Sequence, residues 1–275
     1  MPAVRANYRE QGPILKWITE DQVEELHLAT LEVLERTGVQ VDHEEGLRLL
    51  KDAGCIVEGN RVRIPGWVVE EAIRLAPKKV TIANRLGQRV MHLEKNHVYF
   101  GTGSDLPFTI DLDSNVRRRS TKKDVEQACR VMDYLPNYDF VMSYAIASDV
   151  PSQVSDLHQF QAMTLNTVKP IVFTAHNEKN TRAIIEMAAY VAGSEGELRK
   201  NPSIILYSEP ISPLVHTKDG IAKMFACIEH GIPVTYVSGV VAGGTTPVTK
   251  AGCIVQMNAE ALSGLVMAQL KQKGA

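Results

Sequence analysis

The sequence predicts an α/β protein, and three observations carry that prediction. From about Asn96, short apolar runs alternate with amphipathic stretches. The runs are nearly unbroken and rich in β-branched residues. Each is followed by a polar, often glycine-bearing loop. Strands buried on both faces have this texture. Strands that alternate with helices pair in parallel through right-handed crossovers.

The elements can be justified in order. Thr19-Glu20-Asp21-Gln22 has capping-box spacing, with Thr19 as the cap and Gln22 reaching back. Leu26, Ala29 and Val33 then recur on one helical face, and Gly38 closes the helix. A second helix is expected from about His43 to Gly54, and a hairpin over Val57 to Ile64 turning at Gly59-Asn60. A helix follows Pro65, then strand-like Val80-Thr81-Ile82 and Val90-Met91-His92-Leu93. Residues 1–95 are therefore expected to form a small α/β cap without a cluster of catalytic residue types.

Residues 96–275 read as five β/α units. Their strands are expected at 98–100, 139–143, 170–174, 203–207 and 233–237, with a hairpin inserted around Asp113-Ser114-Asn115. Ser120 or Thr121 caps a helix with the stripe Val125, Ala128, Cys129 and Met132. Further stripes are Ile184, Ile185, Ala188 and Val191, then Ile221, Met224, Phe225 and Ile228, then Ile254, Ala261, Leu265 and Ala268.

Composition narrows the function classes. The chain has 275 residues, 44% hydrophobic and 23% charged, with a formal net charge of −2. No basic excess points to nucleic acid or an anionic membrane, and Arg117-Arg118-Arg119 reads as an exposed turn ahead of a helix. No apolar stretch reads as approaching the ~20 residues that span a bilayer. Met1 to Glu10 lacks the apolar core of a signal peptide. Cys55, Cys129, Cys227 and Cys253 are scattered, as expected of reduced thiols in cytoplasm, with Cys129 and Cys227 on core stripes.

Phosphate chemistry separates the two α/β architectures. A dinucleotide fold needs G-x-G-x-x-G after its first strand. Here Gly101-Thr102-Gly103-Ser104-Asp105 lacks the third glycine and runs into Pro107. A (β/α) TIM-type barrel is favoured. Its eight units exceed the five counted, so an incomplete barrel is expected. Open strand edges invite pairing, so the isolated chain is expected to be oligomeric or poorly soluble.

Barrel chemistry sits at strand carboxyl ends. The loops there offer Asp105, Tyr144, His176, Tyr207, Glu209, Gly244 and Thr245. His176 can act as a general acid or donor to a substrate carboxylate, or cap the next helix. Asp105 and Glu209 can face a cation, or accept N–H bonds in their own loops. Tyr144 and Tyr207 can cage a quaternary ammonium group, or pack at the rim. The Gly243-Gly244-Thr245-Thr246-Pro247 segment can present N–H groups to an anion, or turn tightly with Pro247 as the first helical residue. The eight histidines show no ligand spacing, so no metal is expected.

Several segments resemble the trimethylamine methyltransferase family. They are Ile18-Thr19-Glu20, Thr37-Gly38-Val39-Gln40-Val41, Asn60-Arg61-Val62-Arg63-Ile64-Pro65, Ser212-Pro213-Leu214 and Gly243-Gly244-Thr245-Thr246-Pro247-Val248-Thr249-Lys250-Ala251-Gly252. The resemblance runs through the whole chain in order. It implies a barrel that moves a methyl group from a tertiary or quaternary amine to the Co(I) corrinoid (cobalamin) of a separate partner protein, with no tightly bound cofactor of its own. Some members use pyrrolysine at a position beyond Ala275. The expectation here is a pyrrolysine-free, glycine betaine-type member. Under that reading Glu209 and His176 are the catalytic candidates. Asp105, Tyr144, Tyr207, Gly244 and Thr245 bind substrate. The alternatives are a barrel lyase acting on a phosphorylated or carboxylated small molecule, and a non-catalytic fragment.

Overall fold

The computed structural model describes residues 16–275. The segment Met1–Glu10, judged above for signal-peptide character, lies outside the described residues. Thr19 caps α1 (Glu20–Glu32), with both arms of the capping box in place. The chain then widens into a π turn, Val33–Thr37, and stops at Gly38. Gly38 has φ 69°, and a Cβ there would lie 2.2 Å from Val62 O, so only glycine fits. Next come β1 (Val39–Val41), α2 (Glu44–Asp52), β2 (Ile56–Glu58), β3 (Arg61–Arg63) and α3 (Gly66–Leu75). Two further hairpins follow, β4 (Val80–Ala83) with β5 (Arg89–Leu93), then β6 (Phe108–Ile110) with β7 (Arg117–Arg119).

The alternating part continues with α4 (Lys122–Tyr134), α5 (Ser155–Asn166), β8 (Ile171–Phe173), α6 (Glu178–Ala192) and α7 (Glu195–Lys200). It ends with β9 (Ile204–Ser208), β10 (Val215–His216), α8 (Lys218–Glu229), β11 (Val234–Tyr236) and α9 (Lys250–Lys271). The α/β class holds. No closed barrel is formed among the described residues.

The chain divides into two compact units. The first joins residues up to Pro77 with Ser208–Glu229 and Thr235–Ala275; the second joins Lys78–Tyr207 with His230–Val234. In the first unit, one sheet has the order β10-β1-β3-β2. Its β1 runs parallel to β10, Gln40 opposite Val215 and Val41 opposite His216. Long α9 packs on α1, α2, α3 and α8.

The inward face of α9 carries Ala259, Glu260, Ser263, Gly264, Val266, Met267 and Gln269. The expected stripe of Ile254, Ala261, Leu265 and Ala268 lies beside it and is partly exposed. Periodicity missed the true face because three of its positions are polar. By length and composition α9 is apolar enough to cross a bilayer, which corrects the reading that no stretch approached that size. Yet Glu260 and Ser263 are wholly buried and hydrogen-bonded inside this unit, the environment of a core helix.

In the second unit, β8 and β9 pair in parallel, Ile171 opposite Ile204 through Phe173 opposite Leu206. Pro233, at the start of the β11 segment, accepts the Leu206 N–H at 3.0 Å. The expected strands at 98–100 and 139–143 are extended stretches rather than full ladders. Side chains occupy the bonding positions: Asp139 Oδ2 accepts the Phe100 N–H at 2.9 Å, and Thr102 Oγ1 accepts the Met142 N–H at 2.9 Å. Between these, Asp139 N–H reaches Phe100 O, Tyr144 N–H reaches Gly103 O, and Val141 bridges Ile171 in parallel.

Hairpin β4–β5 seals the amino-terminal ends of these strands. Ala83 N–H bonds Pro202 O and Arg85 N–H bonds Val168 O, each just ahead of β9 or β8. Ile82 and Met91 pack with Met142, Val172 and Ile205 into one core cluster. The arginine run is not a turn but strand β7. Arg117 lies over the Phe108 ring at 3.7 Å, and Arg118 turns to Asp111 and Asp124.

Candidate functional site

In the second unit the chain leaves its strands on polar loops; three of them carry Asp105, Tyr144 and His176, while Tyr207 lies within β9. Asp105 and Tyr144 both have φ 62°, a left-handed conformation that costs a non-glycine residue on the order of 1–3 kcal/mol. Such strain is kept where the surroundings fix a side chain in place. Asp105 Oδ2 accepts the Ser104 hydroxyl at 2.8 Å, and its Oδ1 accepts Thr174 Oγ1–H at 3.4 Å. Its own N–H points to Ser143 Oγ at 3.4 Å. Hydroxyls rather than backbone N–H groups therefore hold Asp105, and the carboxylate remains exposed. The loops after two strand segments, those of Asp105 and Thr174, meet at this carboxylate.

Tyr144 is half-buried and lines a cavity of about 740 Å³, together with Thr102, Tyr138, Val131, Arg118 and Asp124. Tyr207 is also half-buried and packs against the core cluster. His176 is exposed and does not cap α6, because Asn177 accepts the Asn180 N–H in that position. Its backbone N–H is fixed by buried Asp156 at 2.8 Å, and its Nε2 meets Ser155 Oγ at 3.1 Å. Ser155 directs its own hydrogen to Ser152 O, so the ring nitrogen is the donor in this pair.

In the first unit, Glu209 follows β9 and is exposed. A Cβ on Gly239 would approach Glu209 Oε2 to 3.3 Å, so glycine lets the loop after β11 lie close to that carboxylate. The Gly244 and Thr245 N–H groups both bond Val241 O, at 3.0 and 2.9 Å. They close a turn and are not aimed outward at an anion, as the sequence reading had them. What the turn presents instead is the Thr245 hydroxyl, whose oxygen accepts the Val241 N–H at 3.0 Å and whose hydrogen has no such duty. Pro247 does not open the helix either. Thr249 caps α9 by accepting the Gly252 N–H.

Beneath these first-unit loops lies a buried polar network that sequence reasoning missed. Glu260 Oε2 accepts the hydroxyls of Ser212, at 2.7 Å, and Ser238. Its Oε1 accepts the Leu214 N–H at 3.0 Å and Gln256 Nε2–H at 2.9 Å. Fully buried His216 lies 2.7 Å from both the Tyr236 hydroxyl and Ser263 Oγ. Ser263 gives its hydrogen back to the helix carbonyl of Ala259, so His216 Nε2–H donates to Ser263 and Nδ1 accepts from Tyr236. Burial pushes the His216 pKa down to about 4. The Tyr236 phenol is pushed up, first by burial and then by the charges of Glu260 and Glu209. Gly264 makes room for the Tyr236 ring, since a Cβ there would meet it at 2.3 Å.

The comparisons with known proteins agree with one another. The family model for trimethylamine methyltransferase (MTTB) matches residues 2–275. A trimethylamine methyltransferase MttB of Methanosarcina barkeri is 33% identical over 279 residues, covering 96% of this chain and 55% of its own length. The Desulfitobacterium hafniense trimethylamine methyltransferase MttB is 30% identical, over 97% of this chain and 54% of its own. A glycine betaine methyltransferase of Desulfitobacterium hafniense is 28% identical, over 92% and 53%. The chain thus spans about half the length of the curated relatives it matches. With a family match over nearly every residue, the chain belongs to the trimethylamine methyltransferase family.

Proposed function

We propose that this chain is part of an enzyme that transfers a methyl group from a tertiary or quaternary methylamine to the corrinoid of a partner protein. The family match over residues 2–275 carries that reading. The relatives' names supply the substrate class, trimethylamine or glycine betaine. The side chains on the loops suit it. Among the described residues no group of three or more His, Cys, Asp or Glu is placed to hold a metal ion. Carboxylates, hydroxyls and tyrosines suit a cation, and cobalt chemistry would come with the partner. When docked, the corrinoid supplies the nucleophile that takes the methyl carbon.

The residues of this chain bind and orient. Asp105, held by the Ser104 and Thr174 hydroxyls, offsets the charge of the ammonium in the second unit. Tyr144 and Tyr207 offer ring faces, each worth on the order of 0.5–2 kcal/mol to a desolvated cation. In the first unit, taken by itself, Glu209 is the carboxylate assigned to an ammonium. A betaine carboxylate needs a donor: the second unit offers His176, whose Nε2–H passes from Ser155 Oγ to the substrate, and the first unit by itself offers the Thr245 hydroxyl on its turn. Gly244 shapes that turn. Orientation of the methyl carbon toward its acceptor is the main catalytic contribution asked of such a site.

The same reading assigns a TIM-type barrel wall to residues 96–275 and a cap to residues 1–95. Supporting it is the hydrogen-bond order of the second unit, which follows the sequence: residues near 100–106, then 139–146, β8, β9 and Pro233. The seal of the β4–β5 hairpin at the amino ends fits a site at the carboxyl ends.

The test is cob(I)alamin methylation by the complete protein with trimethylamine and glycine betaine. Glu209→Gln is expected to slow methyl transfer at least tenfold with either amine, and Tyr207→Ala to weaken it less. His176→Ala is expected to slow only the glycine betaine reaction. Unchanged rates in all three variants would remove the assignment.

A further inference from the structure

Outside the residues given roles above, the first unit buries one carboxylate whose hydrogen-bond partners among the described residues include no basic group: Glu260, 0% exposed, on the inward face of α9. Its four contacts come from different places in the chain. Ser212 and Leu214 belong to the loop after β9, and Ser238 to the loop after β11. Gln256, one helical turn before Glu260, also donates to Thr245 O at 2.9 Å and so holds the Val241–Thr246 turn. Glu260, with Gln256 beside it, thus links two loops, those of Glu209 and Thr245. We infer that Glu260 is a positioning residue that fixes the loops after β9 and β11 as a single arrangement.

The chemistry of the four contacts separates position from charge. A carboxylate only accepts, and here it accepts from two hydroxyls on Oε2 and from two N–H groups on Oε1. Hydroxyls can reverse their role, whereas N–H groups cannot. In Glu260→Gln the amide oxygen can keep Leu214 and Gln256, while the amide nitrogen donates to Ser212 and Ser238. That variant keeps the geometry and removes the charge. Glu260→Ala removes both and leaves a buried N–H without a partner. Gln256→Ala removes its donation to Glu260 together with the link to Thr245, and leaves the Ser212, Leu214 and Ser238 contacts.

The measurement is amide hydrogen exchange on the whole 275-residue chain, read at Leu214, Val237 and Gly243–Thr246. Glu260→Ala is expected to speed exchange at all three places at least tenfold, with α1 and β8 unchanged. Glu260→Gln should stay within threefold of the parent protein, and Gln256→Ala should speed only Gly243–Thr246. Exchange that rises at Leu214 alone in Glu260→Ala, or equally in the Gln and Ala variants, overturns the inference. Because Gln256→Ala leaves Glu260 in place, it decides the matter even if Glu260→Ala does not fold; unchanged protection of Gly243–Thr246 there overturns it too. The ligand consequence rests on the function proposed above and is read separately. Trimethylamine and glycine betaine titrated calorimetrically into the complete protein should bind Glu260→Gln like the parent and Glu260→Ala at least tenfold more weakly. If neither amine binds the parent, the proposed function fails, while the exchange result still decides the role of Glu260.

Discussion

His216 carries a pH dependence that is internal to the protein. Its folded pKa, about 4, lies below the ordinary 6.5 because burial disfavours the imidazolium. Between those values the unfolded chain binds a proton that the folded chain does not. Stability therefore falls as the pH drops from 6.5 toward 4 and levels below that, a difference of about 3 kcal/mol. Urea midpoints at pH 7 and pH 4.5 check this against His216→Gln, whose loss over that interval should be smaller by most of that amount. Parallel losses in the two proteins would assign the effect elsewhere. Nothing near His216 in the sequence announces it. Its partners Tyr236 and Ser263 lie 20 and 47 residues away and meet it only in the folded unit. Asp105, Tyr144 and His176 were singled out because each comes after an apolar run, a local signal. Glu260 was hidden because a carboxylate inside an apolar helix pattern is ordinarily read as the wet side.

Among the elements, the hairpins and helix starts were the most legible, since caps and turns are set by neighbours in sequence. Gly59-Asn60 turns β2 into β3 as expected, and Thr121 rather than Ser120 caps α4. The strand segments near residues 100 and 140 were less so, because Thr102 and Asp139 side chains replace ladder bonds in a way no hydropathy pattern records. The start of α4 shows how one local motif ties to the strand just before it. Asp124 accepts the Thr121 N–H at 2.8 Å and a two-pronged contact from Arg118, both bonds 2.8 Å. The Arg118 guanidinium holds the Asp124 carboxyl down to about 2. Removing the charge while keeping the shape, Asp124→Asn, should cost about 1–3 kcal/mol through the lost cap and charge-assisted bonds. A thermal melt reads it, and an unchanged midpoint would mean that solvent replaces Arg118 at no cost.

For the whole molecule, texture and compactness follow different rules. The composition of the chain changes near Asn96, whereas its contacts assemble the first unit from three separate stretches. Such long-range pairing, β1 with β10 or α9 with α1 and α3, leaves no mark on local sequence. It has a measurable outcome. A chain ending at Tyr207 lacks β10, α8 and α9, so β1 and α3 should lose their protection from hydrogen exchange, while hairpin β4–β5 and β8 keep theirs. Protection of β1 equal to that in the 275-residue chain would show that the amino-terminal stretch folds unaided.

The parallel pairing of Gln40 with Val215 also has a consequence in time. A ribosome adding 5–20 residues per second needs roughly 10–35 s to go from Val41 to His216. During that interval β3 can already cover one side of β1, since their hairpin partner is close in sequence. The other side stands as an unpaired strand edge, a template for any extended segment nearby. The nascent chain is thus exposed to mispairing at β1 until β10 has been made.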